Sequence, residues 1–211
     1  MKRVYFIRHG ETASNVSRVW QDPSEPLNDK GLSQAAQVAE RVRHLKIDRI
    51  IASSMPRAIQ TVNEISKATS IPYEISDLFR EIKIPSSLIG APHTIDPLSP
   101  QCIFRKLRIE NAADANWHFD DEENPTDFLQ RIKTALHYLE EQPEDNLLVV
   151  THGGCLRCLL GYVVTAGSCD AVDVYRFFKT VKTINTGITV LEFSDDGWVV
   201  NTFNDHAHFA E

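Results

Sequence analysis

Two apolar runs in this chain end in the same way, and that ending constrains the fold more than any other feature. Val4-Tyr5-Phe6-Ile7 empties into Arg8-His9-Gly10-Glu11-Thr12. Leu147 to Thr151 empties into His152-Gly153-Gly154. Short, continuous apolar runs of this kind read as buried strands, the second as a central parallel one. Open α/β sheets keep their ligands beyond the C-terminal ends of the strands. Each histidine is therefore expected where such a sheet does its chemistry. Gly10 suits a sharp turn and a close approach. Arg8 presents a rigid fork of donors suited to phosphate. His9 can be a nucleophile or a general base. Arg-His-Gly alone also fits a charged turn after a strand, so the rest of the chain must decide.

Between these runs the pattern alternates strand and helix. Asn28 is expected to cap a helix over 29–45, with Leu32, Ala35, Ala36, Ala39, Val42 and Leu45 as its apolar stripe and Gln34 on the opposite face. Ile47 to Ala52 reads as a strand. Ser53-Ser54 then caps a helix with Pro56 in its first turn. Arg57 falls at that helix start, just past a strand end, where free N–H groups favour an anion. Tyr73-Glu74-Ile75 is a weak third strand. From Lys83 to Asn124 four prolines break the pattern, with one short helix near 103–109 and an acidic run, Asp120 to Glu123, read as a solvated face. A long irregular stretch of this kind is usually a functional lid or a mobile segment. Thr126 is expected to cap the next helix. The helix after His152 is apolar nearly all round and should be buried. A short helix over 170–177 follows, then a hairpin of Thr189–Phe193 and Trp198–Phe203 around Asp195-Asp196-Gly197. The expected fold class is α/β: a three-layer sandwich with a mostly parallel central sheet, helices on both faces and an irregular cap insertion. One domain over 1–211, with the cap at about 83–124, accommodates the whole pattern.

Composition narrows the function. The 211 residues carry a formal net charge of −7. No basic stretch suits a nucleic-acid surface, and no apolar run approaches membrane-spanning length. Anion chemistry in an acidic protein must rest on a few placed cations. Cys155 and Cys158 have CxxC spacing, but no second ligand pair is evident, so they read as packed thiols in a buried helix. Four cysteines and a strand-like N-terminus point to a cytoplasmic protein. Phe177-Phe178 and the C-terminal hairpin could form a contact in a homodimer.

Four ordered motifs carry a resemblance. Arg8-His9-Gly10-Glu11-Thr12 with Asn15, Leu27 to Ala35, Ser53 to Thr61 around Arg57, and Val150-Thr151-His152-Gly153-Gly154 resemble the signature of the histidine phosphatase superfamily, the phosphoglycerate mutase-like family. Asn185-Thr186-Gly187-Ile188 and the segment 204–209 are similar to its C-terminal part.

The resemblance implies a phosphohistidine on His9, with Arg8, Arg57, His152 and Asn15 around the phosphoryl oxygens and Gly153 beside them. It implies Glu81 as proton donor and then water activator. It implies no cofactor and no required metal. His9 must be neutral to attack, and the two arginines favour that form. Phosphoryl transfer needs placement and charge more than covalent help, which suits this set. The sequence departs from the mutase-type Glu-Arg-His-Tyr-Gly at Arg80-Glu81-Ile82-Lys83-Ile84, and the phosphatase-type Gly and Trp after the Glu are missing. The leading expectation is a metal-independent phosphomonoesterase with a small phosphorylated substrate. A phosphoglycerate mutase-type phosphotransferase and a non-catalytic phosphate-ligand binder are the alternatives. Arg18, Trp20, Lys83, His93 and Arg105 are candidates for the pocket rim.

Overall fold

The computed structural model describes residues 1–112 and 114–209. Six strands form one sheet: β1 (Lys2–Arg8), β2 (Arg49–Ala52), β3 (Tyr73–Ile75), β4 (Asn146–Thr151), β5 (Ile188–Ser194) and β6 (Gly197–Asp205). Their order is β3-β2-β4-β1-β5-β6. The pairs β3/β2, β2/β4 and β4/β1 are parallel, and β1/β5 and β5/β6 are antiparallel. The parallel part places the C-terminal ends of β1, β2 and β4 side by side. Gly197, at φ +95, turns the hairpin between β5 and β6.

Alternation along the strands builds two cores. Tyr5, Ile7, Ile50, Ala52, Leu148 and Val150 pack against α2 (Asp29–Val42) and α3 (Pro56–Thr69). Val4, Phe6, Ile51, Leu147 and Val149 pack against α5 (Pro125–Glu140) and α6 (Gly153–Val164), with α7 (Ala171–Thr180) beyond. Helices thus cover both faces, as the sequence predicts. Among the described residues no helix is long and apolar enough to cross a membrane.

Local departures have local causes. A short helix, α1 (Ala13–Ser17), follows the His9 loop, closed by a reciprocal capping box between Thr12 and Asn15. In α2, Leu32 is exposed while Gln34 is buried, because Gln34 Oε1 accepts from the Glu11 N–H at 2.8 Å. The N-cap of α3 is Met55 without a side-chain bond, and the Ser53 hydroxyl, two residues earlier, meets His152 and accepts from the Met55 N–H. Asn124, not Thr126, caps α5. Phe178 packs inward against the core and Phe177 against Gly161.

Within 83–124 the expected short helix is α4 (Pro100–Glu110), and Leu88, Gln101 and Phe104 are buried. Only half of the acidic run is solvated. Asp120 and Asp121 are exposed, whereas Glu122 and Glu123 are buried against Arg108 and Arg131. Residues 90–93 run antiparallel to 18–20 as a small ribbon. Trp20 N–H donates to the Ala91 carbonyl, Gly90 N–H to Trp20, and His93 N–H to Arg18. The Trp20 ring meets His93 and Phe104 edge-on.

Candidate active site

The register of β1 with β4 pairs Arg8 with Thr151, so His9 and His152 leave adjacent strands at the same level. Their ring centroids lie 5.1 Å apart. Both are buried, His9 1% and His152 0% exposed. His9 Nδ1 lies 2.7 Å from the Gly10 carbonyl oxygen. A carbonyl only accepts, so Nδ1 carries the proton and Nε2 keeps its lone pair. Burial and the Arg57 and Arg8 charges hold the His9 pKa well below the usual histidine value. His9 is therefore neutral near pH 7.

Gly10 is required by a close approach rather than by unusual dihedrals. A Cβ there would stand 2.5 Å from the Gly31 carbonyl oxygen, and one on Gly31 would stand 2.0 Å from that of Glu11. The N-terminus of α2 is thus docked backbone to backbone on the His9 loop. The Asn185 amide reinforces the loop, donating to the His9 carbonyl at 3.0 Å and to Asn15 Oδ1 at 3.1 Å. Asn15 Oδ1 also accepts from Thr12 N–H.

Arg57 is 1% exposed at the start of α3. Its Nε donates to His152 Nδ1 at 3.3 Å, and its Nη1 to the carbonyls of Asp22 and Pro23. With Nδ1 accepting, the proton of neutral His152 sits on Nε2 and points at Ser53 Oγ, 2.7 Å away. Burial, Arg57, His9 and Arg8 hold His152 well below the ordinary value. Its one N–H is thus already given to Ser53. Arg8 Nη1 donates to the Thr183 carbonyl at 2.7 Å. Arg8 Nε is buried with no hydrogen-bond partner among the described residues, and a Cβ on Gly153 would lie 3.3 Å from it. Burial lowers the Arg8 pKa to about 10, so it stays charged. A cation with an unspent, buried donor can receive an anion.

Glu81 reaches this centre from the loop after β3. Its Oε2 accepts from Gly154 N–H at 2.9 Å, and its Oε1 from Cys155 and Ile82 N–H groups at 3.1 and 3.0 Å. The carboxylate is therefore seated on the N-terminus of α6. Gly154 permits this, because a Cβ there would fall 2.1 Å from Glu81 Oε1.

Some residues were not legible in the sequence. Ser53 reads as a helix cap, and its contact with His152 is a tertiary one. Arg157 is hidden in an apolar helix. Its Nε donates to the Gly153 carbonyl at 2.9 Å, and it stacks on Phe178. No sequence signal separates it from a surface arginine. Of the rim candidates, Trp20, His93 and Arg105 cluster around the ribbon, with Arg105 over the Trp20 ring. Arg18 pairs with His93 through its backbone, and Lys83 turns to Asp121. The cysteines are free thiols, and burial pushes Cys155 up to about 12.

The family signature covers residues 4–206, matching the histidine phosphatase superfamily, branch 1. The chain belongs to that superfamily. Among curated members of the superfamily it is 30% identical to the probable phosphoglycerate mutase GpmB of Proteus mirabilis, over 100% of this chain and 96% of that protein. Among solved structures it matches a mycobacterial glucosyl-3-phosphoglycerate phosphatase with TM-score 0.78 and 23% identity, covering 98% of this chain and 100% of that one. It matches the alpha-ribazole phosphatase of Shigella flexneri with TM-score 0.78 and 19% identity, covering 96% of each. These two structures share the histidine phosphatase fold with it.

Proposed function

We propose that this superfamily member is a metal-independent phosphomonoesterase acting through a phosphohistidine on His9. The observation that carries the reading is the state of His9: neutral, with its proton fixed on Nδ1 by Gly10 and a lone pair on Nε2. Nε2 attacks phosphorus, the N–P bond forms, and the P–O bond to the leaving group breaks. The leaving oxygen takes that electron pair and a proton from the Glu81 carboxyl group. Water then attacks phosphorus, gives a proton back to Glu81, and the N–P electrons return to His9. Arg8 and Arg57 neutralise the phosphoryl oxygens. His152 joins them by exchanging its bond to Ser53 for one to phosphate, and Asn15 and Gly153 border the site. The segment 83–124 serves as the cap through its ribbon with 18–20. A reducing, cytoplasmic setting belongs to this reading, supported by the four free thiols.

A mutase-type phosphotransferase is the second reading, favoured by the name of the Proteus mirabilis relative. Against it stands Arg80-Glu81-Ile82-Lys83-Ile84 in place of the mutase-type stretch.

The test is hydrolysis of p-nitrophenyl phosphate with a chelator present, with trapping of acid-labile phosphoprotein from a labelled substrate. Turnover and label lost together in His9→Ala support the phosphatase. Transfer from a phosphorylated primer to phosphoglycerate faster than hydrolysis supports the mutase. Tight phosphate binding without turnover or label overturns both.

A further inference from the structure

The segment that carries Glu81 has little secondary structure, yet side chains hold its carbonyls one after another. Arg131 Nη1 donates to the carbonyls of Leu78 and Arg80 at 2.8 and 2.9 Å. Thr151 Oγ1 donates to the carbonyl between them, Phe79, at 2.7 Å. Arg131 Nη2 also leans on the Glu81 carbonyl at 3.5 Å. The same guanidinium is gripped from behind by Glu123, whose carboxylate takes Nε at 2.7 Å and Nη2 at 2.8 Å. Glu123 then closes the far side of the segment. Its N–H donates to the Lys83 carbonyl at 2.9 Å, and its Oε2 accepts the Lys83 N–H at 3.3 Å. Arg131 spends its donors on backbone and on Glu123, so it has none aimed at a phosphate. A bidentate, largely buried pair of this kind fixes orientation as well as energy.

We infer that Arg131, clamped by Glu123, is the positioning residue for Glu81, holding the Leu78–Lys83 backbone so that the carboxyl group meets the leaving oxygen. The inference rests on the phosphatase reading above. It also gives the 83–124 segment a chemical duty, because Glu123 belongs to it. The reaction step concerned is the proton handed to the leaving oxygen as the P–O bond breaks. A structural role would lower activity on every substrate alike. A positioning role shows itself only where protonation matters.

The experiment compares kcat/KM, which reports phosphorylation of His9 alone, for p-nitrophenyl phosphate and for an alkyl phosphate, glycerol phosphate. The first has a leaving group that departs without a proton, and the second does not. Wild type, Glu81→Gln, Arg131→Lys and Glu123→Gln are measured, with thermal unfolding to confirm that each is folded. The near-isosteric Glu123→Gln keeps the test alive if Arg131→Lys does not fold. For the Arg131 and Glu123 variants the expected result is a loss of about 100-fold on glycerol phosphate and less than about threefold on p-nitrophenyl phosphate. Glu81→Gln should show the same leaving-group pattern, more steeply. Equal losses on both substrates, or no loss on either, overturn the inference while leaving the phosphatase reading intact. Wild type without turnover or phosphohistidine overturns that reading, and this inference with it.

Discussion

Arg8 and Thr151 face one another across the β1–β4 ladder, and the next residue of each strand is a histidine. Main-chain register therefore brings the two rings to within 5.1 Å, and their hydrogen bonds to Gly10, Arg57 and Ser53 fix how they stand. A slip of one residue would turn one of the strands inside out, so the buried pattern of both runs guards the spacing. Arg57 is delivered to the same level by β2, on the other side of β4.

The two buried histidines make stability depend on pH. Their folded pKa values lie well below 6.5, and an unfolded chain titrates near that value. Stability is therefore full above about pH 6.5 and falls as pH drops, because only the unfolded chain takes up the protons. Each histidine contributes a slope of roughly 1.4 kcal/mol per pH unit. His93 and His208, also held low, add to it. Urea unfolding from about pH 7 to about pH 5 should show the decline, and His9→Asn should remove one histidine's share.

Ser53→Ala takes away the acceptor of the His152 Nε2 proton at a site with 0% exposure. The expected destabilisation is about 1–3 kcal/mol, with kcat/KM lowered about tenfold as His152 loses its fixed orientation. Unchanged stability in denaturant would contradict the hydrogen bond.

Gly154→Ala places a methyl group 2.1 Å from Glu81 Oε1. The obstacle is the end of a side chain, so the fold should survive while the carboxylate is displaced. Expected is a loss of about 100-fold on an alkyl phosphate, with a modest fall in unfolding temperature as the Ile82, Gly154 and Cys155 N–H groups lose their acceptor. A fully active variant would separate Glu81 from the chemistry.

At Gly31 the obstacle is backbone. A Cβ would stand 2.0 Å from the Glu11 carbonyl, which cannot move without the His9 loop. Gly31→Ala should lose at least about 3 kcal/mol and about 6–12 °C in Tm. Leu32→Ala, next to it but exposed, should change stability by less than about 0.5 kcal/mol. Calorimetry of the pair tests the contrast.

The sheet and its helices were legible because strand and helix periods are local, and the continuous apolar runs Val4 to Ile7 and Leu147 to Val150 announce strands buried on both faces. His9, Arg57 and His152 were legible because each follows a strand end. Gln34, Glu122 and Glu123 were not. Their burial is made by partners elsewhere, the Glu11 N–H, Arg108 and Arg131, and a polar residue's sequence neighbours do not announce such a partner. Ser53 and Arg157 have the same cause: each looks ordinary in its own element and acquires meaning only across the strands.

The ribbon of 18–20 with 90–93 leads directly into Asp22 and Pro23, whose carbonyls occupy Arg57 Nη1. A phosphate that takes those donors must push the carbonyls aside, and with them the end of the ribbon. On the phosphatase reading, occupancy of Arg57 and the position of the ribbon's end are thereby linked. A charged oxygen competes for the Arg57 donors better than a neutral one, so charge weighs beside shape in what can displace those carbonyls.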